Sequence, residues 1–362
     1  MKQNIAVVGA GISGLCTGLA LAAKGNTVTI YERDIEPPEG GADQAFFEWN
    51  RRGAAQFRHP HAFLGVMCNL LEKNYPDLIE QFWEAGARKM SFRDMLPPEL
   101  LLQYEPEPTD EDMWMLMCRR ATMETVLRRY VESKHNVTIN NTSNVVGMTT
   151  SGTSEDITLT GLEVQVDRGD IEQVSHDVVV DASGRGTNFP AWLDALGSRV
   201  TTEDDDADIV YYTRHYQLNP GEQEPSRHNK ERSAGDLGYM KYGVFPGDNG
   251  HFAVIICLPN HETELREAIK DPDQFDDICN AIPGLKPWVS PSKSTPTTSS
   301  FGFGDIHATW RHFVNDGIPV ALNFFAVGDS AVRTNPLYGR GCSTGTIHAH
   351  LLARILDEFT DP

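Results

Sequence analysis

The chain has 362 residues, enough for about two domains at ~150 residues each. Hydrophobic residues make up 40% and charged residues 23%, ordinary for a soluble globular protein, and no apolar run approaches the ~18 residues of a membrane helix. There are 31 Lys and Arg against 51 Asp and Glu, a formal charge of −20 with no basic tract to offset it, which argues against nucleic acid or an anionic membrane as partner. Six cysteines (Cys16, Cys68, Cys118, Cys257, Cys279, Cys342) are scattered without a CxxC pair, the pattern of reduced thiols in a cytoplasmic protein.

The first apolar run, residues 4–8, leads into Gly9-Ala10-Gly11-Ile12-Ser13-Gly14. A small-residue helical pattern over 15–24 follows, then Gly25 and a second run, 27–31, ending on Glu32-Arg33. Strand, glycine turn, helix and strand form the context in which GxGxxG marks a dinucleotide site. Gly9 permits the tight turn, Gly11 leaves the pyrophosphate unobstructed, and Gly14 lets the helix pack closely. The helix N-terminus offers N–H groups and partial positive charge to phosphates. Glu32 lies 18 residues after Gly14, near the spacing expected of the acid that binds an adenosine ribose.

Residues 34–56 look irregular, with Pro37-Pro38 and Gly40-Gly41. A helical pattern covers 62–86, and proline-rich linkers at 97–98 and 106–108 lead to a helix over 121–134. Alternating segments at 137–139, 145–148, 157–166 and 171–174 predict an antiparallel meander, and Val178-Val179-Val180-Asp181 a buried strand of the central sheet. Between 190 and 319 the character becomes mixed α+β, with strands near 211–218, 239–245 and 251–258 and helices near 262–270 and 272–281. This predicts an inserted domain at 190–319 and a discontinuous cofactor domain at 1–189 and 320–362. The acidic run Glu203-Asp204-Asp205-Asp206 has no His or Cys nearby and predicts a solvated loop, not a metal site. A last strand is expected at 320–327 and a last helix at 344–359.

Four further constellations bear on the cofactor. Gly328-Asp329 ends the last strand, and an aspartate there can accept hydrogen bonds from polyol hydroxyls; FAD has a ribityl chain and NAD does not. Asn335-Pro336-Leu337-Tyr338-Gly339-Arg340-Gly341-Cys342-Ser343 opens the last helix, with glycines that let backbone approach a flat ring. Asp181-Ala182-Ser183-Gly184-Arg185-Gly186 is a strand-to-turn junction, and Cys118-Arg119-Arg120-Ala121-Thr122-Met123-Glu124 starts a helix with adjacent cations.

Together these motifs resemble the class A flavoprotein monooxygenase superfamily, the fold shared by aromatic hydroxylases, squalene epoxidase, styrene-type epoxidases and flavin-dependent halogenases. The resemblance implies an α/β fold: a Rossmann-type, glutathione-reductase-like FAD domain with an inserted α+β substrate domain. It assigns cofactor contacts to Gly9, Ala10, Gly11, Ser13, Gly14, Glu32, Arg33, Asp181, Gly184, Gly328, Asp329, Pro336, Gly339, Gly341 and Cys342. Arg120 matches the family's helix-opening arginine, preferred over Arg119 because the following Ala-Thr-Met-Glu aligns better. A narrower likeness, to a microbial branch that includes polyether epoxidases, rests on Arg51-Arg52-Gly53-Ala54-Ala55-Gln56-Phe57-Arg58-His59-Pro60-His61, on 184–197 and on Tyr212-Thr213-Arg214-His215-Tyr216. That branch usually carries Pro at Ala55 and Gln at Arg340, and its members continue with helices beyond the last motif.

The implied chemistry is oxygen transfer through a flavin C4a-hydroperoxide to an apolar small molecule, by hydroxylation or epoxidation, with molecular oxygen as co-substrate. Arg58, His59 and His61 are the candidate catalytic polar groups; the cluster either relays protons or satisfies backbone carbonyls. No third ligand follows at zinc spacing, so no metal is expected. No second GxGxxG appears, so NAD(P)H binds transiently or a partner reductase supplies electrons. The alternatives are a flavin-dependent reductase or dehydrogenase on the same fold, and a non-catalytic FAD-fold binding protein. Halogenation is disfavoured by the lack of a WxWxIP segment.

Overall fold

The computed structural model describes residues 2–153 and 156–359. The chain forms two units: residues 1–55, 124–205 and 307–362 in the first, and 56–123 and 206–306 in the second.

In the first unit, the strands Phe324–Ala326, Val178–Asp181, Asn4–Val8, Thr27–Tyr31 and Val137–Asn140 form one parallel sheet in that order. Ile5, Ala6, Val7 and Val178 to Val180 are fully buried, which is why these strands read as continuous apolar runs rather than alternating ones. Numbered along the chain, the order is 5-4-1-2-3, so the winding reverses beside Asn4–Val8. Val8 pairs with both Tyr31 and Asp181, and Asp181 with Ala326, so four strand ends lie level. Open α/β sheets bind ligands outside such carboxyl ends, at the reversal.

Val137–Asn140, expected in the meander, belongs instead to this sheet, paired parallel with Thr27–Tyr31. The positive φ of Thr142 breaks the chain there, and the meander proper is Ser143–Ser151, Thr158–Val166 and Ile171–Ser175. Its Leu159, Leu162 and Val164 pack with Val179, Phe189 and Phe324. The stretch expected to be irregular contains a helix, Gly41–Glu48, which buries only Ala45 and Phe46, too few apolar positions to reveal a period. The acidic run is a strand, Thr201–Asp206, not a loop, and does have histidine partners. Asp204 meets His307 at 2.7 Å and Glu203 meets His312 at 2.8 Å, both from a neighbouring strand about a hundred residues away in sequence. Among the described residues, no His, Cys, Asp or Glu group is arranged to hold a metal ion. Only Phe324–Ala326 of the expected last strand joins the sheet, and the last helix, Gly341–Glu358, starts earlier than expected.

In the second unit the helical pattern at 62–86 is two helices, Gly65–Asn74 and Pro76–Glu84. Pro76 can open a helix but cannot continue one, so the break falls there. The strands Ala234–Asp236, Lys241–Pro246, His251–Pro259 and Ile209–Leu218 form an antiparallel sheet that continues into Ser294–Pro296, with Phe301–Phe303 also beside Ile209–Leu218. Side chains alternate along Ile209–Leu218. Val210, Tyr212 and Tyr216 enter the core with Phe252, Phe275 and Trp288, while Tyr211, Thr213 and His215 take the other face. All six cysteines are free thiols, and among the described residues no helix is long and apolar enough to cross a membrane.

Candidate functional site

Three turns leave the carboxyl edge of the first unit's parallel sheet, after Val8, after Asp181 and after Ala326, and pack on one another. Gly9 adopts φ +102, and a Cβ there would lie 2.7 Å from the Ala182 carbonyl. A Cβ on Gly14 would lie 1.9 Å from the Gly9 carbonyl, so the glycine turn admits no side chain at either end. Gly11 differs: its missing Cβ faces space with nothing within 4 Å, at the start of the helix Ile12–Ala23, which has no side-chain cap. Ser13 fills a slot against the last helix and the Gly328 turn, since a Cβ on Gly328 or Gly345 would meet its Oγ at 2.4 or 2.1 Å.

Glu32 is buried at the end of Thr27–Tyr31. Its Oε2 accepts the Ala10 N–H at 2.9 Å, and its Oε1 accepts the Asp34 N–H at 2.9 Å. Arg51 supplies a third partner at 3.1 Å. Burial alone would raise the Glu32 pKa, but Arg51 and the two N–H donors hold it below its ordinary value. Arg51 itself is buried and also contacts Asp34 and Glu124, each at 3.1 Å, and the Ala10 carbonyl at 3.2 Å. Arg33 points to the Arg52 carbonyl at 3.1 Å.

Asp181 is fully buried, and its carboxylate accepts from Ser183 N–H, Ser183 Oγ, Thr187 Oγ1 and Ser330 Oγ at 2.6–3.0 Å. Burial raises its pKa against the pull of those donors. Ser330 Oγ also accepts the Gly184 N–H at 2.8 Å, joining the second and third turns. Asp329 Oδ1 faces the last helix, 3.8 Å from where a Gly341 Cβ would be, and Gly328 N–H donates to His348 Nδ1 at 3.1 Å. Pro336 begins a 3-10 turn closed by left-handed Gly339, and Arg340 lies over the Tyr338 ring. Cys342 is the second residue of the last helix.

The candidate catalytic residues lie in the second unit, on the Thr213–His215 face of its sheet. His59 Nδ1 meets Thr213 Oγ1 at 2.9 Å, and His215 Nε2 meets the Arg58 carbonyl at 2.6 Å. His61 Nδ1 meets the His59 carbonyl at 2.8 Å, so that nitrogen carries the proton and Nε2 accepts from Arg120 Nη1 at 2.6 Å. Burial pushes the His59 pKa down to about 4 and that of His215 to about 3, while burial and the Arg120 charge push His61 well below its ordinary value. The three imidazoles are neutral at pH 7. Arg119 is committed to buried Asp248, through its own N–H at 2.8 Å and Nη2 at 2.5 Å. Sequence reasoning gave no role to Arg51, although it opens the Arg51-Arg52-Gly53 segment, and missed Ser330, Gly345, His348 and Asp248.

The first unit fits FAD on the donor set it presents. An uncapped helix end adjoins the open space at Gly11, Glu32 retains one of its roughly four acceptor positions, and Asp329 faces the start of another helix. Residues 4–59 match the family described as FAD dependent oxidoreductase. Protein Rv3254 of Mycobacterium tuberculosis is 28% identical over 98% of this chain and 73% of its own. The flavin-dependent brominase Bmp2 superposes with a TM-score of 0.69 at 16% identity, covering 99% of this chain and 79% of that one. PqsL of Pseudomonas aeruginosa, described as a probable FAD-dependent monooxygenase, superposes at 0.65 and 14% identity, covering 99% and 86%. The chain therefore has an FAD-dependent oxidoreductase fold, related to that of flavin halogenases and of PqsL.

Proposed function

We propose that the chain is an FAD-dependent monooxygenase that hydroxylates or epoxidises an apolar small molecule with molecular oxygen, using NAD(P)H or a separate reductase. The observation that carries the cofactor reading is the meeting of the Gly9–Gly14, Asp181–Gly186 and Gly328–Asp329 turns at the winding reversal of the parallel sheet. The monooxygenase reading draws on the motif resemblance and on the fold likeness to PqsL; Bmp2 shares that fold to a similar degree. We assign cofactor binding to the first unit and substrate binding to the second, a division that differs from the expected 1–189 with 320–362 and 190–319 by moving residues 56–123 to the second unit and 190–205 and 307–319 to the first.

FAD, when bound, supplies the redox chemistry between reductant and oxygen. Glu32 would accept a ribose hydroxyl, the helix end at Gly11 to Gly14 would face the pyrophosphate, and Asp329 would accept ribityl hydroxyls. The backbone at Pro336, Gly339, Gly341 and Cys342 would lie along the ring. Arg120 is assigned to the cofactor, and Arg58, His59 and His61 to catalysis, by the motif resemblance; within the second unit His61 Nε2 accepts from Arg120 Nη1 and the His59 carbonyl accepts from His61 Nδ1.

The test begins with the visible spectrum of the purified protein with and without added FAD. Oxygen uptake with NADH, NADPH or reduced flavin is then measured over an apolar substrate panel under ¹⁸O₂. A product that gains one labelled oxygen supports the monooxygenase. Anaerobic reduction of a substrate without oxygen uptake would favour the reductase reading. Failure to bind FAD would defeat both and leave a non-catalytic fold.

A further inference from the structure

We propose that Arg311 is a positioning residue for the cofactor, its guanidinium clamping two of the turns into one binding edge. The inference rests on the FAD reading above. Arg311 Nη1 donates to the carbonyls of Asp329 and Ser330, each at 3.0 Å, and Nη2 donates to the Arg185 carbonyl at 3.2 Å. Its own backbone N–H donates to the Ala331 carbonyl at 2.9 Å, so the side chain emerges from a strand already fixed beside the third turn.

The two turns need such a tie. Each is a three-residue 3-10 turn that opens on a left-handed glycine, Gly184 at φ +81 and Gly328 at φ +59, so neither has a ladder to hold its peptide planes. On one side Ser330 Oγ links them through the Gly184 N–H and Asp181. Arg311 supplies the other link. Peptide units are planar, so anchoring the carbonyls of residues 329 and 330 fixes the backbone on both sides of Ser330 and immediately after the Asp329 Cα. The carboxylate assigned to the ribityl chain is thereby aimed without contact between Arg311 and the ligand. The rigid guanidinium fork reaches three carbonyls at once, which a lysine ammonium on a flexible stem cannot reproduce.

The test titrates FAD into flavin-stripped wild type, Arg311→Met and Arg311→Lys, following flavin fluorescence and the shape of the visible absorption band. Melting of the FAD-free proteins is recorded alongside. The expected result is FAD affinity about 10- to 100-fold weaker for Arg311→Met, with an altered flavin band and an unchanged FAD-free melt, and only partial rescue by lysine. Binding by Arg311→Met within about threefold of wild type would overturn the proposal. If Arg311→Met fails to fold, folded Arg311→Lys decides: weakened affinity supports the clamp, and full affinity refutes it. Wild type that binds no FAD would refute the underlying reading, and the inference with it, an outcome distinct from a defect confined to the variants.

Discussion

Arg51 is the first residue to perturb, because its guanidinium contacts three buried carboxylates. Its side chain is 2% exposed, those of Glu32, Asp34 and Glu124 are 4%, 0% and 0% exposed, and each carboxylate lies 3.1 Å from the guanidinium. Trp49 stacks on it at 4.7 Å, so Arg51→Met would preserve much of the packing while removing the charge and every donor. Breaking a buried pair by deleting one partner costs about 3–5 kcal/mol, a large share of the ~5–15 kcal/mol that holds a domain folded. The cost should depend on pH. In the wild type the Glu32 pKa is depressed, so its contribution is present above the unfolded carboxylate value and lost as pH falls through the folded one. Without Arg51, burial becomes the dominant influence on Glu32 and its folded value rises above the unfolded one. The variant then loses stability as pH rises between those values, and the gap to wild type narrows on going from pH 7 to pH 5. Urea unfolding of both proteins at the two pH values measures this, and the histidine titrations common to both cancel in the difference. A gap below about 1 kcal/mol at pH 7, or one that does not change with pH, would refute the account.

Gly11 and Gly14 should separate binding from folding. Gly11→Val places its Cβ where nothing lies within 4 Å, so the melt should match wild type within about 1 °C while FAD retention is lost, as read from the flavin absorbance of the purified protein. Gly14→Ala drives a Cβ to 1.9 Å from the Gly9 carbonyl and should cost at least about 1–3 kcal/mol in chemical denaturation; a neutral result would show that the turn can relax. The pKa values of His59 and His215 are depressed by burial, so the unfolded chain binds more protons between about pH 6.5 and the folded values near 4 and 3. Stability should therefore fall as pH drops below 6.5, by about 1.4 kcal/mol per pH unit for each histidine. A His215→Asn variant with an undiminished pH slope in urea unfolding would contradict this.

The glycine turn and the strand-end aspartates were legible because each is specified within a few neighbouring residues, whereas the Rossmann-type sheet was implied by the motif resemblance. The bonds those residues make were not. Asp181 carries the signature of a ligand-facing turn, yet four donors from its own chain occupy its oxygens, one of them from Ser330, 149 positions away. Ser13 sits in the fingerprint but packs into a slot made by Gly328 and Gly345. The acidic strand looked solitary because its histidine partners arrive from a strand that sequence periodicity cannot place beside it. The helix at Gly41–Glu48 and the parallel pairing of Val137–Asn140 were missed for related reasons. A two-turn helix shows no period, and a four-residue strand does not declare its partner.

The deployment of acids in the first unit bears on how a chain of net charge −20 could hold a dinucleotide that carries negative charge of its own. Long-range repulsion is screened within about 10 Å at ordinary ionic strength, so the local arrangement decides. Glu32 and Asp34 are turned toward Arg51, and Asp181 toward hydroxyls and an N–H. These carboxylates organise the turns from behind, with their charge compensated or hydrogen-bonded inside the protein. What remains at the open space by Gly11 is an uncapped helix end and peptide N–H groups, which carry partial positive charge. An acid compensated in this way stabilises the turn without repelling phosphate, and Arg51, which faces both Glu32 and Asp34, carries much of that compensation.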